Sequence, residues 1–376
     1  MNIVINAILY HNQPRGVGRY LNSILYELAN VDSTNQYYVY YTPWMKDYEF
    51  LQIKKENFHF ICINIPRNKI IRNFVQGFIF PFLILKHKPD ILHVPDTSPV
   101  LFKTCPTISN IHDLAEFYFP EKYGKLRSFL RTLIAKSQSK SSNHLITVSN
   151  YSKSDIQNKF NISDQKISSI HNGVDLKIFR KDKTLNSHES LKAIIDKPYF
   201  LYVGELEKSK NTLLIFEAFL NLPVSMQEKY KIVLAGRKGN DYNRIVEFIN
   251  NNNMKDKVGI LDYVTDEQLH ILYSECKAFI FPSLFEGFGL PIIEAMASEA
   301  PVICSNASCL PEIGGDAVLL FDPYNAKDLS MQICKLENSH SLSDELIVKG
   351  KKRIEHFSWK KAAKETLKVY NSISSK

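Results

Sequence analysis

Short β-rich runs alternate with amphipathic stretches along most of the chain. Seven predicted strands occupy the first half: NIVINAIL, QYYVYYT, FHFICINI, DILHVPD, PTISNIHD, HLITVS and KISSIHNG. Six follow in the second half: YFLYVGE, YKIVLAGR, VGILDYV, AFIFPS, PVICS and AVLLFD. Strands that alternate with helices are typical of parallel sheets with helical crossovers. The pattern predicts an α/β protein of two doubly wound, Rossmann-like domains facing a cleft, with ligands at the carboxyl ends of the strands.

One polar segment, RKDKTLNSHESLKAIIDKP at 180–198, interrupts this alternation before it restarts. We therefore predict an N-terminal domain at 1–185 and a C-terminal domain at 186–356. The last segment, 357–376, contains FSWKKAAKETLKVYNSI, which has the pattern of an amphipathic helix.

Composition is consistent with two packed cores, since 44% of the 376 residues are hydrophobic. The six cysteines are scattered without a C-x-x-C pair, so neither a disulfide framework nor a zinc site is expected. The N-terminus lacks the pattern of a signal peptide. The longest apolar run, at 74–85, is well short of the ~20 residues that a membrane-spanning helix needs. We therefore expect a cytoplasmic protein with reduced thiols.

Positive charge is concentrated in the first half of the chain. Residues 1–190 hold 24 Lys and Arg against 15 Asp and Glu, which leaves 23 against 24 for the remainder. The segment 122–140 contains six cations, no acid and an apolar stripe at helical spacing. Such a helix could lie on an anionic membrane surface, which would make the protein peripheral at the inner face of the membrane. Alternatively, the stripe packs on the core and the cations form a solvated face. Nothing in the pattern indicates a nucleic-acid partner.

The stretch FPSLFEGFGLPIIEAMA, residues 281–297, places two carboxylates beside a glycine-rich turn and a helix start. Pro291 suits the first turn of a helix, where its missing N–H needs no partner. The amides of 287–289 then lie at a helix N-terminus, which favours an anion such as phosphate. Glu286 and Glu294 can accept hydrogen bonds from sugar hydroxyls. In a purely structural alternative, Glu286 caps the helix and Glu294 is exposed.

These residues resemble the signature of the retaining glycosyltransferases of family four, which have the two-lobed B-type (GT-B) fold. The resemblance covers essentially the whole chain and includes YVGELEKSKN, IVLAGRKG, YVTDEQL, FPSLFEGFGLP and PEIGGDAVLLFDP in the family's order. It implies a hexosyltransferase that uses a nucleotide diphosphate sugar. It also implies that the last helix crosses back to the first domain.

The resemblance assigns roles to residues of the C-terminal half. Glu294 would hold the ribose of the donor and Glu286 a hydroxyl of its hexose, while Lys210 would neutralise the diphosphate. Arginine usually precedes that lysine in the family, but Ser209 stands there in this chain, so Lys208, or Arg237 with Lys238 of AGRKG, is expected to compensate. The remaining donor-binding candidates are Tyr263, Val264, Gly287, Phe288, Gly289 and Leu290.

In the N-terminal half, RGVGRY at 15–20 is similar to the family's glycine-rich first loop, with Gly16 and Gly18 close to the donor and acceptor. His112 of NIHDL matches the family histidine that reaches the donor sugar. Asp113 is expected to orient its neighbours or cap a helix. His112, Lys210 and Glu286 are therefore the catalytic candidates.

The chain contains no D-x-D motif, so no carboxylate-bound metal and no cofactor are expected. The resemblance implies retention by front-face attack. The runs SNIHDLAEFYFPEKY and ITVSNYSKSDI are similar to the mannosyltransferase-like branch that builds bacterial surface polysaccharides. GDP-mannose is therefore the first expected donor, with a UDP-sugar as the alternative, and a glycan or lipid-linked oligosaccharide is the expected acceptor. A nucleotide-sugar epimerase, a glycan phosphorylase and a degenerate transferase that only binds its donor are the rival functions.

Overall fold

The computed structural model describes residues 1–8, 16–46, 48–99, 101–120, 124–180, 191 and 194–374. The chain divides into two compact units, Met1–Gly173 with Ser358–Lys376 and Val174–Phe357. The division falls earlier in the chain than the predicted boundary at 185. Part of the polar segment on which that prediction depends, residues 181–190 and 192–193, lies outside the described residues.

The first unit contains a seven-stranded parallel sheet in the order β3-β2-β1-β4-β5-β6-β7. Helices cover both faces of such a sheet, so its central strands are buried, including polar positions such as Thr107, Ser109 and Asn110. The strands are β1 Asn2–Asn6, β2 Gln36–Tyr41, β3 Phe58–Cys62, β4 Ile91–Val94, β5 Thr107–Asn110, β6 His144–Thr147 and β7 Ile167–Ser169.

Helices connect the strands of the first unit. Ser149, for example, accepts a hydrogen bond from the amide of Ser152 and so starts the helix that follows β6. The α-helices are α1 Val17–Val31, α2 Lys69–Phe74, α3 Phe80–Leu83, α4 Ala115–Tyr118, α5 Lys125–Ser141 and α6 Asn150–Phe160, with a π-helical turn at Val75–Ile79.

The second unit contains a six-stranded parallel sheet in the order β10-β9-β8-β11-β12-β13. Because all six strands run parallel, their carboxyl ends lie at one edge. The strands are β8 Tyr199–Val203, β9 Lys231–Ala235, β10 Val258–Leu261, β11 Ala278–Phe281, β12 Val302–Ser305 and β13 Val318–Phe321. The two sheets confirm the predicted α/β class and doubly wound architecture.

Helices again connect the strands of the second unit. Thr265 and Gln268 form a reciprocal capping box at the start of one of them. The helices are α7 Leu213–Leu220, α8 Val224–Lys229, α9 Tyr242–Asn251, α10 Asp266–Glu275, α11 Leu290–Ala297, α12 Leu310–Gly314, α13 Ala326–Glu337 and α14 His340–Ile354.

The last helix, α15 Trp359–Ser374, packs against α1 and belongs to the first unit. Tyr370 of α15 donates a hydrogen bond to Nδ1 of His93 at 2.6 Å, while Nε2 of His93 lies 2.8 Å from Oδ1 of Asn110. Burial lowers the pKa of His93 to about 4. The histidine is therefore neutral at pH 7 and fastens α15 to β4 and β5.

Helix α5 directs its apolar stripe away from the core of its unit. Leu126 is 73% exposed and Phe129 is 60% exposed, and Leu130 and Leu133 are exposed beside them. The buried positions of the helix are instead mostly small or polar: Ser128, Ala135, Gln138 and Ser139. The core-packing alternative for this stripe is therefore wrong, because its leucine and phenylalanine side chains face outward.

No helix within the described part of the chain combines the length and hydropathy needed to cross a bilayer.

Candidate active site

The loop between β11 and α11 has the geometry expected at a strand-to-helix turn. Gly289 immediately precedes the helix with φ 92°, a conformation that L side chains rarely adopt. A Cβ at this position would also lie 2.9 Å from Cδ2 of Leu310. Pro291 occupies the first turn of α11, as predicted from its missing N–H. The backbone conformation therefore favours glycine here, and a Cβ would also require the end of the Leu310 side chain to shift.

Glu286 is held in this loop by side chains from three segments. Its Oε1 lies 2.6 Å from Nζ of Lys210 and accepts a hydrogen bond from the Ser283 hydroxyl at 2.7 Å. Its backbone amide donates to Oγ of Ser308 at 3.0 Å. The side chain of Glu286 is only 13% exposed. The carboxylate therefore has a defined position beside a cation, at the edge where the strands end.

Lys210 ends a short 3₁₀ turn, Lys208–Lys210, that follows β8. The carbonyl of Ser209 accepts a hydrogen bond from the amide of Leu284 at 2.9 Å, which joins this turn to the loop of Glu286. Asn211 follows with φ 54° and donates its side-chain amide to the carbonyl of Pro323 at 2.7 Å. The backbone hydrogen bond from Leu284 to Ser209 therefore fixes the position of the lysine turn relative to the Glu286 loop.

Glu294 lies inside the unit rather than on the surface of α11. It is 4% exposed, and Oε2 lies 3.4 Å from the hydroxyl of Tyr273. Glu286 makes no side-chain capping bond to α11. The purely structural alternative for the two carboxylates is therefore wrong in both parts, since Glu286 does not cap the helix and Glu294 is not exposed.

The other donor-binding candidates lie at the same edge of the second sheet, but their surroundings differ. Lys208, Arg237 and Tyr263 are exposed, Tyr263 by 62%. Val264 and Leu290 are half-buried. Gly287 and Phe288 are buried, and the ring of Phe288 packs edge-on against Phe357 with centroids 5.7 Å apart. Any contact of 287–289 with a ligand would therefore come from the backbone.

Ser209, which stands where the family usually has arginine, is 7% exposed. The amide of Lys208 donates to the side chain of Asn240 at 3.0 Å, while its own side chain is exposed. The position at which the chain departs from the family's arginine is therefore buried, and it lies between two candidate cations, Lys208 and Lys210.

In the first unit, Gly16 precedes α1 with φ 48°, and a Cβ there would meet nothing within 4 Å. Its backbone conformation, rather than close packing, therefore favours glycine. Gly18 is buried within α1. Arg15, the first residue of the RGVGRY motif, lies outside the described residues.

His112 follows β5 and is oriented through its ring. Nε2 lies 3.0 Å from the carbonyl oxygen of Pro95, and the ring packs edge-on against Tyr20 with centroids 5.0 Å apart. A carbonyl can only accept, so Nε2 carries a proton and donates to Pro95. Asp113 accepts a hydrogen bond from the amide of Ala115 at 2.9 Å, as expected of a local cap.

Three polar residues near the candidates have no counterpart in the sequence analysis. Ser283 and Ser308 contact Glu286 directly. Asp96 follows β4, and its charge interacts with His112. Burial raises the pKa of the Asp96 carboxyl, and the nearby His112 opposes that rise. The strand-end position of Asp96 in DILHVPD was the available signal, whereas the serines come together only through the fold.

Two family models match the chain, one in its first half and one in its second half. Residues 14–178 match the family described as Glycosyltransferase Family 4, and residues 184–353 match Glycosyl transferases group 1. The O-antigen chain mannosyltransferase B of Escherichia coli is 29% identical over 71% of this chain and 70% of its own length. The O-antigen chain mannosyltransferase RfbU of Salmonella typhimurium is 30% identical over 62% of this chain and 63% of its own length.

A solved structure supports the same grouping at the level of the fold. The sucrose-phosphate synthase of Thermosynechococcus elongatus superimposes with a TM-score of 0.76 and 19% identity, covering 99% of this chain and 98% of that one. The two parallel sheets, the ordered motifs and the two matched families lead to one assignment. The chain belongs to the family-four, group 1 glycosyltransferases of the GT-B fold.

Proposed function

We propose that the protein transfers mannose from GDP-mannose to a growing glycan or lipid-linked oligosaccharide, with retention of configuration and without a metal ion. The ion pair of Lys210 and Glu286 beside the start of α11 is the observation that carries this proposal. Two relatives that are named O-antigen mannosyltransferases support the choice of sugar. The absent D-x-D motif supports the choice of a protein cation over a metal.

In this proposal, the ammonium of Lys210 stabilises the diphosphate as it leaves. Glu286 accepts a hydrogen bond from a hexose hydroxyl, and Glu294 accepts from the ribose. The bond from the anomeric carbon to phosphate breaks while the acceptor oxygen bonds to the same face. The acceptor proton passes to the leaving phosphate. Because Glu286 contacts the ammonium that would also meet the diphosphate, the diphosphate and this carboxylate compete for one cation.

His112 has a separate role in the proposal. Its Nε2–H donates to Pro95, so Nδ1 is the ring atom able to accept a hydrogen bond from a hydroxyl of the donor sugar. Such a contact would orient the sugar near its reacting carbon. Phenylalanine at 112 would abolish it, while asparagine could retain an acceptor at similar reach.

A donor panel tests the transfer. Purified protein is incubated with GDP-mannose, GDP-fucose, UDP-glucose or UDP-galactose and a lipid-linked acceptor, in excess EDTA, and the product is examined by NMR. We expect transfer from GDP-mannose with the donor's anomeric configuration preserved. Transfer only from a UDP-sugar would overturn the donor, and inversion or loss of activity in EDTA would overturn the mechanism. Donor binding without transfer would support the degenerate transferase, whereas an epimer or dependence on phosphate would support the other rivals.

We also propose that the protein binds an anionic membrane surface through 122–140. The outward stripe of α5 supports this, since its apolar residues stand beside exposed cations at Arg127, Lys136 and Lys140. Each cation near an anionic surface contributes about 1 kcal/mol, screened by salt within a Debye length. Vesicle sedimentation should therefore show binding to phosphatidylglycerol that falls with salt. Equal partition to neutral vesicles would contradict the electrostatic part of the proposal.

A further inference from the structure

A second outward apolar surface lies on the first unit, away from α5 in the sequence. Residues 69–87 form one helical run: α2, the π-helical turn, α3 and a 3₁₀ turn at Ile84–His87. One side of the run is buried, where Val75, Phe80 and Ile84 pack in the core with residues of β1, β2 and β4. The run is therefore anchored through an ordinary core-facing side.

The opposite side of the run is also apolar. A helix at a protein surface usually presents polar residues to water, and one that is apolar all round is usually buried. Here the outward side chains are large and hydrophobic, with Ile70 exposed by 80%, Phe82 by 57% and Phe74 by 54%. The remaining members are Ile71, Phe78, Ile79, Leu83 and Leu85, all exposed by 38% or more.

The loop after β4 extends this surface. Leu101 is 56% exposed and Phe102 is 44% exposed. The ring of Phe102 contacts those of Phe78 and Phe82, with centroids 5.8 and 5.7 Å away. A Cβ at Gly77 would lie 3.1 Å from Cδ1 of Leu101, so glycine permits the loop to lie across the run. These ten residues, 70, 71, 74, 78, 79, 82, 83, 85, 101 and 102, are called the apolar platform below.

The segment that carries most of the apolar platform is rich in positive charge, and its first acidic residue, Asp90, lies beyond Lys88. Residues 67–88 contain five cations and no acid. Arg67, Lys86 and Lys88 are exposed, and so is Lys103 beside the loop. A protein partner would need hydrogen-bonding or acidic complements, whereas an anionic bilayer offers apolar chains and negative headgroups together. An exposed apolar surface of this extent marks an interaction site.

We propose that the apolar platform inserts into the interfacial region of an anionic bilayer, with its flanking cations against the headgroups. Because one side of the run packs in the core of its unit, the run lies in the plane of the interface. This is a contact additional to that of α5, and it depends neither on the identity of the donor nor on the transfer chemistry. Its occupant is the bilayer itself rather than a second copy of the chain.

The test uses the full chain and vesicles of phosphatidylglycerol and phosphatidylethanolamine. Phe78→Glu with Phe82→Glu should lower the vesicle partition coefficient at least about tenfold, since two inserted rings are replaced by anions that the surface repels. The matched control is Val224→Glu with Tyr324→Glu, which changes exposed apolar residues of the other unit, 69% and 80% exposed. That control should bind vesicles like the wild type.

Insertion is measured directly with Phe82→Trp and brominated lipids. The wild type contains two tryptophans, Trp44 and Trp359. We expect the brominated lipids to quench the fluorescence of the variant more strongly than that of the wild type. Lys86→Glu with Lys88→Glu alters exposed side chains only, and should also weaken binding to anionic vesicles. This second variant keeps the proposal testable if the phenylalanine variant fails to fold, as judged by its unfolding temperature.

Unchanged partition for both double variants, or no added quenching at 82, would overturn the proposal. So would a dimer in sedimentation equilibrium that Phe78→Glu abolishes without affecting vesicle binding, since the surface would then be covered by a second copy. Nucleoside diphosphate affinity and donor hydrolysis should remain at wild-type levels in the platform variants. If the wild type itself neither binds nucleoside diphosphate nor hydrolyses the donor, the proposed transfer is wrong. The membrane contact is then still tested by the vesicle partition coefficients.

Discussion

Replacing Lys210 with alanine tests the candidate active site most directly. The ammonium of Lys210 lies 2.6 Å from the carboxylate of Glu286. The substitution removes the ammonium proposed to meet the diphosphate. It leaves the Ser283 hydroxyl as a donor to the same carboxylate oxygen. The variant should therefore fold, with a modestly lower unfolding temperature.

The expected loss of nucleoside diphosphate affinity depends on the burial of the Lys210–Glu286 pair and on competition between Glu286 and the diphosphate for Lys210. A charge-assisted hydrogen bond contributes about 1.5–3 kcal/mol, and solvent screens this pair weakly because Lys210 is 21% exposed and Glu286 is 13% exposed. The diphosphate must share or displace Glu286, which lowers the net gain from this cation. We therefore expect a loss of ~2 kcal/mol in nucleoside diphosphate binding, or roughly 30-fold in Kd.

Calorimetric titration with GDP and UDP in low salt measures this loss. Lys208→Ala is the matched control, because Lys208 lies in the same turn with an exposed side chain, and it should lose much less affinity. Glu286→Gln removes the competing carboxylate, so nucleoside diphosphate binding should be retained or strengthened while sugar transfer falls. If Lys210→Ala binds nucleoside diphosphate like the wild type, the diphosphate does not meet this turn and the reasoning is refuted.

Three further outcomes are expected. Glu294→Ala should weaken donor binding by ~2–3 kcal/mol by calorimetry, whereas Tyr273→Phe, which removes a long 3.4 Å contact, should change it little. Gly289→Ala should lower the unfolding temperature, because its φ is 92° and its Cβ would crowd Leu310; an unchanged value would mean that the turn relaxes. Since burial lowers the pKa of His93 from 6.5 to about 4, the unfolded chain binds its proton first. The free energy of unfolding should therefore fall by up to ~3 kcal/mol as pH drops from 6.5 to 4, and urea titrations of His93→Gln should lack that part of the slope.

Much of the candidate site could be predicted because its residues are close in the chain. Glu286, the glycine turn and Pro291 belong to one strand-loop-helix unit, whose geometry depends on local backbone preferences. The contacts of Ser308 and Lys210 with that loop could not be predicted from spacing. They depend on the order β8-β11-β12 within the sheet, which brings the loops after those strands together.

The sequence alone determined the two α/β units, because hydrophobic period and local turn chemistry can be read along the chain. The resemblance of its motifs to family four supplied the family and the catalytic candidates. The sequence could not determine which side of α5 faces the core, since an apolar stripe has the same period whether it faces inward or outward. Nor could it show that residues 70–85 are apolar on two sides, one packed and one exposed. Tertiary structure decided both, because the side of a helix that is buried depends on which other segments pack against it.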